Sequence, residues 1–164
     1  MPVANPVKRW LARIAKTLAP HWYWHRHYRI LQRLGENNPD ALLIRSLCDP
    51  NRISLDIGAD VGEMTIAMLA SSRSVIAFEP RPTQARELTA MFEAVGAAVR
   101  IEAVALSDRP GVRTMRILDA DPGRSTIDEH NCLSDADDSP ASTINVPVKP
   151  LDDAHLDNVG LLKI

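Results

Sequence analysis

The stretch Arg52–Thr65, RISLDIGADVGEMT, decides the fold. It begins as a short apolar run, enters a turn that contains Gly58 and Gly62, and continues as a helical pattern. Asp56 lies two positions before the first glycine. Glycines permit positive φ angles and let a ligand approach the backbone closely. A strand, a glycine turn and a helix in this order therefore predict a ligand site at the end of a buried parallel strand.

Alternating strand and helix patterns surround this stretch and predict the fold class. The apolar runs 53–58, 74–80 and 98–106 are bounded by turn residues, as buried parallel strands are. Helical patterns at 61–72 and 84–95 separate these runs. The alternation predicts an α/β fold in which a mostly parallel sheet carries helices on both faces.

The later part of the chain adds strands of a different kind. Residues 111–118 and 142–151 alternate apolar and polar side chains, which predicts a β-hairpin inserted into the α/β fold. Residues 119–141 between them are acidic and rich in turn formers, so we expect a mobile, solvated loop there. Residues 159–164, VGLLKI, predict a further buried parallel strand.

The N-terminal part of the chain differs in charge from the rest. Residues 1–34 hold seven Lys and Arg and no acid, whereas the remaining residues hold 12 basic and 21 acidic side chains. We therefore divide the chain into a basic, helical segment at 1–50 and a ligand-binding domain at 51–164. Such an asymmetry is typical of arms that contact a membrane surface or a nucleic acid. We expect a weak membrane-surface contact through residues 1–34, with a solvated face as the alternative, and no nucleic-acid partner.

The composition of the chain favours a globular protein over disulfide-rich, metal-binding and membrane-spanning classes. With 164 residues and 45% apolar side chains, the chain is long enough for one globular domain. Cys48 and Cys132 lie far apart without histidine pairs at metal-binding spacing, so neither a disulfide framework nor a metal site is expected. No apolar run approaches the ~20 residues of a membrane span, and the N-terminus is a poor secretory signal, which makes the cytoplasm the expected location. We expect surface or loop positions, without a metal or a catalytic role, for five histidines: His21, His25, His27, His130 and His155.

Glu79 indicates which ligand the glycine turn holds. It ends the second strand, 21 residues after Gly58, and is expected at the same sheet edge as Asp56. A carboxylate at that place can accept hydrogen bonds from both hydroxyls of an adenosine ribose. Asp60 and Glu63 occupy positions where a dinucleotide-binding turn has glycines, and their charges would repel a pyrophosphate. S-adenosylmethionine has no phosphate and carries a sulfonium and an ammonium group, so it suits an acid-lined turn better.

Six ordered blocks of the sequence resemble the successive motifs of FkbM-type S-adenosylmethionine-dependent methyltransferases. The blocks are LDIGADVGEMT, VIAFEP, AVALSD, GRSTI, VPVKPLDD and LLKI, and the resemblance covers residues 51–164. It implies a Rossmann-like class I methyltransferase fold with S-adenosylmethionine as cofactor. By position it implies that Glu79 binds the ribose and that Val104, Ala105 and Leu106 lie beside the adenine. The residues that it places around the methionine moiety are Asp56, Gly58, Ala59, Asp60 and Gly62.

The resemblance also implies an activity. Members of this family usually methylate a hydroxyl oxygen, so the expected partner is a small-molecule or glycan hydroxyl acceptor. No residue of this chain is identified as the catalytic base. The family continues beyond the position of Ile164, so we expect a domain that is incomplete at its C-terminus and binds the cofactor without useful turnover. Two alternatives remain open: a non-catalytic adenosine-binding module, and an NAD-dependent oxidoreductase, which the turn chemistry disfavours.

Overall fold

A computed structural model describes residues 6–118, 125–127 and 141–164. Most of the loop predicted at 119–141, together with His130 and Cys132, therefore lies outside the described residues. The helices are α1 (Pro6–Leu18), α2 (Pro20–Gly35), α3 (Pro39–Leu47), α4 (Glu63–Leu69) and α5 (Pro82–Ala94). The strands are β1 (Ile53–Ile57), β2 (Ser74–Phe78), β3 (Val99–Glu102), β4 (Ala105–Leu106), β5 (Gly111–Leu118), β6 (Ala141–Lys149) and β7 (Val159–Lys163).

Two sheets organise the chain. The main sheet contains four parallel strands in the order β3-β2-β1-β7. The second sheet has the order β4-β6-β5, and β5 and β6 pair antiparallel over the whole length of β5. The predicted α/β fold with a mostly parallel sheet and an inserted hairpin is confirmed. Its architecture is compatible with a Rossmann-like fold.

The main sheet is covered differently on its two faces, and the prediction of helices on both faces is wrong for the described residues. On one face, Ala77 of β2 shares a cluster with Phe92 of α5 and with residues of α4. On the other face, Phe78 packs with Leu106 and Leu151, which lie outside the α-helices. The steps from β1 to β2 and from β2 to β3 run in the same direction across the sheet. Right-handed crossovers therefore place α4 and α5 on the same side.

The third predicted strand, residues 98–106, divides into two strands that belong to different sheets. Its first part, β3, pairs with β2 as expected. Its last part, β4, pairs with β6 instead, where Ala105 lies opposite Val148. Ala105 is buried there in a cluster with Met115 and Val148. A short apolar run can satisfy either sheet, and burial in this second cluster determines which one it joins.

Helix α2 ties the N-terminal segment to the main sheet. Trp24 and Leu31 lie seven residues apart on one face of α2 and are buried in the same cluster as Phe92. Helix α1 contacts α2, and Lys16 of α1 forms an ion pair with Glu87 of α5. Helix α2 therefore shares a hydrophobic core with the α/β domain. Among the residues that the structure describes, no helix is both long and apolar enough to cross a membrane.

The histidines of α2 lie in different environments. His21 is exposed, whereas His27 is half-buried and its ring meets the ring of Trp24 edge-on at a centroid distance of 5.8 Å. Burial lowers the pKa of His27, since the charged imidazolium loses hydration there. The charge of Glu87 opposes this shift and that of Lys16 adds to it.

Candidate functional site

A cleft of about 300 Å³ opens beyond the carboxyl ends of β1 and β2. Cavities of about 300–1,000 Å³ are the usual size of small-molecule sites. Six of the nine residues predicted to hold a cofactor line this cleft: Gly58, Asp60, Glu79, Val104, Ala105 and Leu106. The other three predicted residues, Asp56, Ala59 and Gly62, are buried and do not line it.

The glycine turn is fastened to the end of β2 by backbone hydrogen bonds. The amides of Gly58 and Ala59 both donate to the carbonyl of Phe78, at 2.9 and 3.1 Å. The amide of Asp60 donates to Glu79 Oε2 at 2.9 Å. Asp56 and Glu79 therefore lie at the same edge of the sheet, as predicted. The turn and the carboxylate of Glu79 form one connected unit.

Every acceptor position of the Glu79 carboxylate is in use. The side chain is 2% exposed. Its Oε1 accepts from the backbone amide and from Nε of Arg81, at 3.0 and 2.8 Å. Its Oε2 accepts from the amide of Asp60 at 2.9 Å and from Arg81 Nη2 at 3.2 Å. A carboxylate offers about four lone-pair positions, so an incoming donor can bind Glu79 only after one of these partners has moved.

Arg81 connects the two acids that line the cleft. Its Nη2 also donates to Asp60 Oδ1, so one guanidinium bridges Asp60 and Glu79. Burial by itself would lower the pKa of Arg81, but the hydrogen bonds and charges of Glu79 and Asp60 together raise it well above its ordinary value. The guanidinium is therefore held in its charged form beside these carboxylates. Asp60 itself has a left-handed backbone conformation with φ of 48°.

Asp56 serves the frame of the site and does not face the cleft. It is completely buried, and its Oδ2 accepts a 2.6 Å hydrogen bond from Thr65 Oγ1 of α4. Lys163 Nζ lies 2.9 Å from Asp56 Oδ1, an ion-pair distance without hydrogen-bond geometry, and Oδ1 accepts no hydrogen bond from the described residues. The same ammonium donates to the carbonyls of Ile57 and Gly58, at 3.3 and 3.2 Å. Asp56 thus joins β1, α4 and β7 behind the turn.

The two glycines of the turn differ in the space around their Cα atoms. Gly58 has φ of 76° and is open on its Cβ side, where no atom lies within 4 Å. Gly62 has φ of 89°, and a Cβ there would lie only 2.8 Å from Cδ2 of Leu88 and 3.3 Å from Cε of Met91. Gly58 therefore leaves room for a ligand, whereas Gly62 allows the turn to pack closely on α5.

Apolar side chains complete the cleft on the side of the second sheet. Phe78 ends β2 and lies at one wall. Met115 of the hairpin and Ile127 lie at another, beside Ala105 and Leu106. The hairpin thus contributes directly to the apolar lining of the cleft. The described ranges contain no group of three or more His, Cys, Asp or Glu side chains that could hold a metal ion.

Several residues of this site were not predicted from the sequence. Arg81 had a local signal, because it follows Glu79 by two positions in EPRP and extended residues two apart lie on the same side. The sequence indicates Lys163 more weakly, as a cation near the end of a strand that is expected beside β1. Thr65 and Met115 had no such signal, since their contacts depend on how distant segments pack.

Comparisons with known proteins add little to this geometry. No protein-family model and no curated protein matches the chain. Among solved structures, the chain is similar to the YcgJ protein from Bacillus subtilis, with 20% sequence identity and a TM-score of 0.36. The similarity covers 40% of this chain and 30% of that chain. A similarity this low identifies neither a shared fold nor a shared function.

Proposed function

We propose that the protein is an S-adenosylmethionine-dependent methyltransferase and that the cleft holds the cofactor. The observation that carries the proposal is the position of Glu79, buried at the end of β2 and joined to the glycine turn through the amide of Asp60. A carboxylate in this place can accept from the two hydroxyls of an adenosine ribose. Leu106 and its neighbours then offer the adenine an apolar wall.

The charges around the cleft favour a cationic ligand over a pyrophosphate. Asp60 lines the cleft. It occupies a position at which a dinucleotide-binding turn has a glycine. The nearby cations are already engaged with carboxylates, Arg81 with Glu79 and Asp60, and Lys163 with Asp56. A sulfonium or an ammonium close to Asp60 is therefore stabilised, whereas a pyrophosphate would meet like charge. The charges of the cleft therefore disfavour the dinucleotide alternative.

Arg81 must move before a ribose can bond to Glu79. Its guanidinium occupies one acceptor position on each oxygen of the carboxylate. Asp60 is the second anchor of this guanidinium and can keep it nearby after it leaves Glu79. The exchange replaces two hydrogen bonds from Arg81 with two from ribose hydroxyls. The Glu79 carboxylate therefore stays satisfied when the ligand binds.

The reaction needs little covalent chemistry from the protein. S-adenosylmethionine, when bound, supplies an electrophilic methyl group. The acceptor that we propose, a sugar or natural-product hydroxyl, must lie in line with that methyl group, so positioning carries most of the reduction of the barrier. Phe78 and Met115 give the cleft an apolar lining, which would limit the access of water to the reacting groups. No side chain among the described residues is assigned as a base for the acceptor.

A calorimetric titration with S-adenosylmethionine tests the proposal. Glu79→Gln removes the charged acceptor and should weaken binding about 10- to 150-fold, the equivalent of ~1.5–3 kcal/mol for hydrogen bonds to a charged group. Glu93→Gln makes the same chemical change on the exposed face of α5 and should leave the affinity unchanged. Circular dichroism of both variants checks that the fold is retained.

Two results would reject the proposal, and a third would favour the alternative function. Binding of NADH without binding of S-adenosylmethionine would overturn it, as would equal affinities of Glu79→Gln and the unmodified protein. Tight binding of adenosine together with weak binding of S-adenosylmethionine would favour a non-catalytic adenosine-binding module. Arg81→Ala provides an independent check, because it frees two acceptor positions on Glu79 and should tighten ribose binding.

A further inference from the structure

Helix α1 contacts the body of the protein through Lys16 and leaves most of its apolar stripe exposed. Trp10 and Leu18 lie eight residues apart on one stripe, and Lys16 is two residues from Leu18, about 200° around the helix. Lys16 is nevertheless the residue that contacts the body: its ammonium pairs with Glu87 and lies 4.7 Å from the ring centroid of Trp24. Trp10 and Leu18 point outward and are 61% and 79% exposed, whereas Ile14 between them is half-buried.

The outward face of α2 continues this surface with an aromatic ring and three cations. Trp22, Arg26, Arg29 and Arg33 follow one another at spacings of four, three and four residues, which places them in a single stripe. All four are exposed. Trp24 lies two residues from Trp22 and is buried in the core, which confirms that the stripe faces away from it. Leu18 at the end of α1 and Trp22 near the start of α2 lie four residues apart, and both are more than half exposed.

We propose that this N-terminal surface, formed by Trp10, Leu11, Leu18, Trp22, Arg26, Arg29 and Arg33, docks on an anionic lipid membrane. A helix with tryptophan and leucine on one side and basic residues beside them lies in the plane of a bilayer interface. Tryptophan prefers the headgroup level, and arginine binds phosphate through its planar fork of donors. The proposal is independent of the ligand in the cleft.

Other occupants match the N-terminal surface less well. A second copy of the chain could cover the apolar stripe, but symmetric contact of the two surfaces would bring their arginines together, and like charges repel. A nucleic acid would satisfy the arginines but offers no complement to Leu11 and Leu18, which are both more than half exposed. An anionic bilayer provides an apolar layer and phosphate groups at the same time. The absence of acids from residues 1–34 removes the repulsion that acids would create there.

A vesicle sedimentation assay with the full chain tests the proposal. Each Arg near an anionic surface contributes about fivefold to the partition coefficient, so Arg26→Gln, Arg29→Gln and Arg33→Gln together should lower binding by one to two orders of magnitude. The vesicles are phosphatidylcholine alone and phosphatidylcholine with 30 mol % phosphatidylserine. A charge-matched control removes three exposed arginines from β3 and from the β5 region: Arg100→Gln, Arg109→Gln and Arg113→Gln.

The expected results separate lipid binding from general charge attraction. The unmodified chain and the control should bind the anionic vesicles alike and the neutral ones weakly, with loss of binding as salt increases. A second variant, Trp10→Ser with Leu18→Ser, should also lose binding. The fluorescence of the exposed tryptophans should shift to shorter wavelength on binding.

Four results would overturn the proposal. They are equal recovery with neutral and anionic vesicles, retention of binding in the triple arginine variant, binding to single-stranded oligonucleotides but not to vesicles, and concentration-dependent dimerisation without vesicle binding.

Discussion

Replacing Gly62 by alanine should destabilise the protein much more than the same change at Gly96. Both residues have positive φ, 89° and 63°. An L-residue in the left-handed region costs about 1–2 kcal/mol, so both substitutions carry this cost. At Gly62 the new methyl group would also lie 2.8 Å from Leu88 and 3.3 Å from Met91, whereas at Gly96 it would meet nothing within 4 Å. Overpacking of a core costs about 1–3 kcal/mol.

The sum for Gly62→Ala is therefore a loss of about 2–5 kcal/mol in the free energy of unfolding, against about 1–2 kcal/mol for Gly96→Ala. Alanine also restricts the unfolded chain, but this contribution is common to both variants and cancels in the comparison. Urea unfolding followed by circular dichroism measures both values. A difference of less than about 0.5 kcal/mol between the two variants would be no larger than the usual deviation from additivity. Such a result would refute the close packing of the glycine turn on α5.

Gly58→Ala separates ligand access from stability in the same series. Gly58 has φ of 76°, and an added Cβ would have no atom within 4 Å. The free energy of unfolding of the Gly58→Ala variant should therefore match that of Gly96→Ala. It lines the cleft, whereas Gly96 does not. S-adenosylmethionine binding should therefore weaken in Gly58→Ala and stay unchanged in Gly96→Ala, as measured by calorimetry. Equal affinities in the two variants would contradict the placement of the ligand at the turn.

Two further predictions concern buried polar groups. Thr65→Val keeps the shape of the side chain but removes its 2.6 Å hydrogen bond to the buried Asp56. Urea unfolding should therefore show a free energy of unfolding that is lower by about 1.5–3 kcal/mol, the range for hydrogen bonds to charged groups. Thr89→Val on α5 is the control and should cost less, because Thr89 donates to an uncharged backbone carbonyl. Because burial lowers the pKa of His27 below 6.5, the unfolded chain binds more protons near that pH, and the free energy of unfolding should fall as the pH decreases through 6.5 towards the folded pKa. His27→Gln should reduce this pH dependence of the free energy of unfolding, and an unchanged slope in this variant would contradict the role of His27.

The fold could be predicted from the sequence where local patterns and global packing agree. The runs at 53–58 and 74–80 became parallel neighbours because both are mostly apolar and can be buried on both faces. The run at 98–106 could not be assigned in this way, since its last residues pair with the hairpin and not with β2. Which sheet takes Ala105 depends on Met115 and Val148, which are distant in sequence.

The glycine turn and the strand-end acids of the candidate site could be predicted from the sequence. The side chains that bond to these acids could not. Gly58 and Glu79 were found because glycine and a strand-end carboxylate have recognisable spacing. The burial of Asp56 could not be inferred, because a strand-end acid can face either a ligand or the frame. Its orientation follows from Thr65 on α4 and from Lys163 on β7, which arrive from both sides of β1.

The most direct test of a cofactor site in the cleft is a titration of ¹⁵N-labelled protein with S-adenosylmethionine, followed through the backbone amide resonances. The amides of Gly58, Asp60, Arg81 and Leu106 should shift together and saturate at one equivalent, because these residues line the cleft. The amide of Gly96, in the turn that follows α5, should stay in place. Shifts that appear only with NADH, or that leave Gly58 and Leu106 unchanged at saturation, would contradict the assignment of this cleft to S-adenosylmethionine.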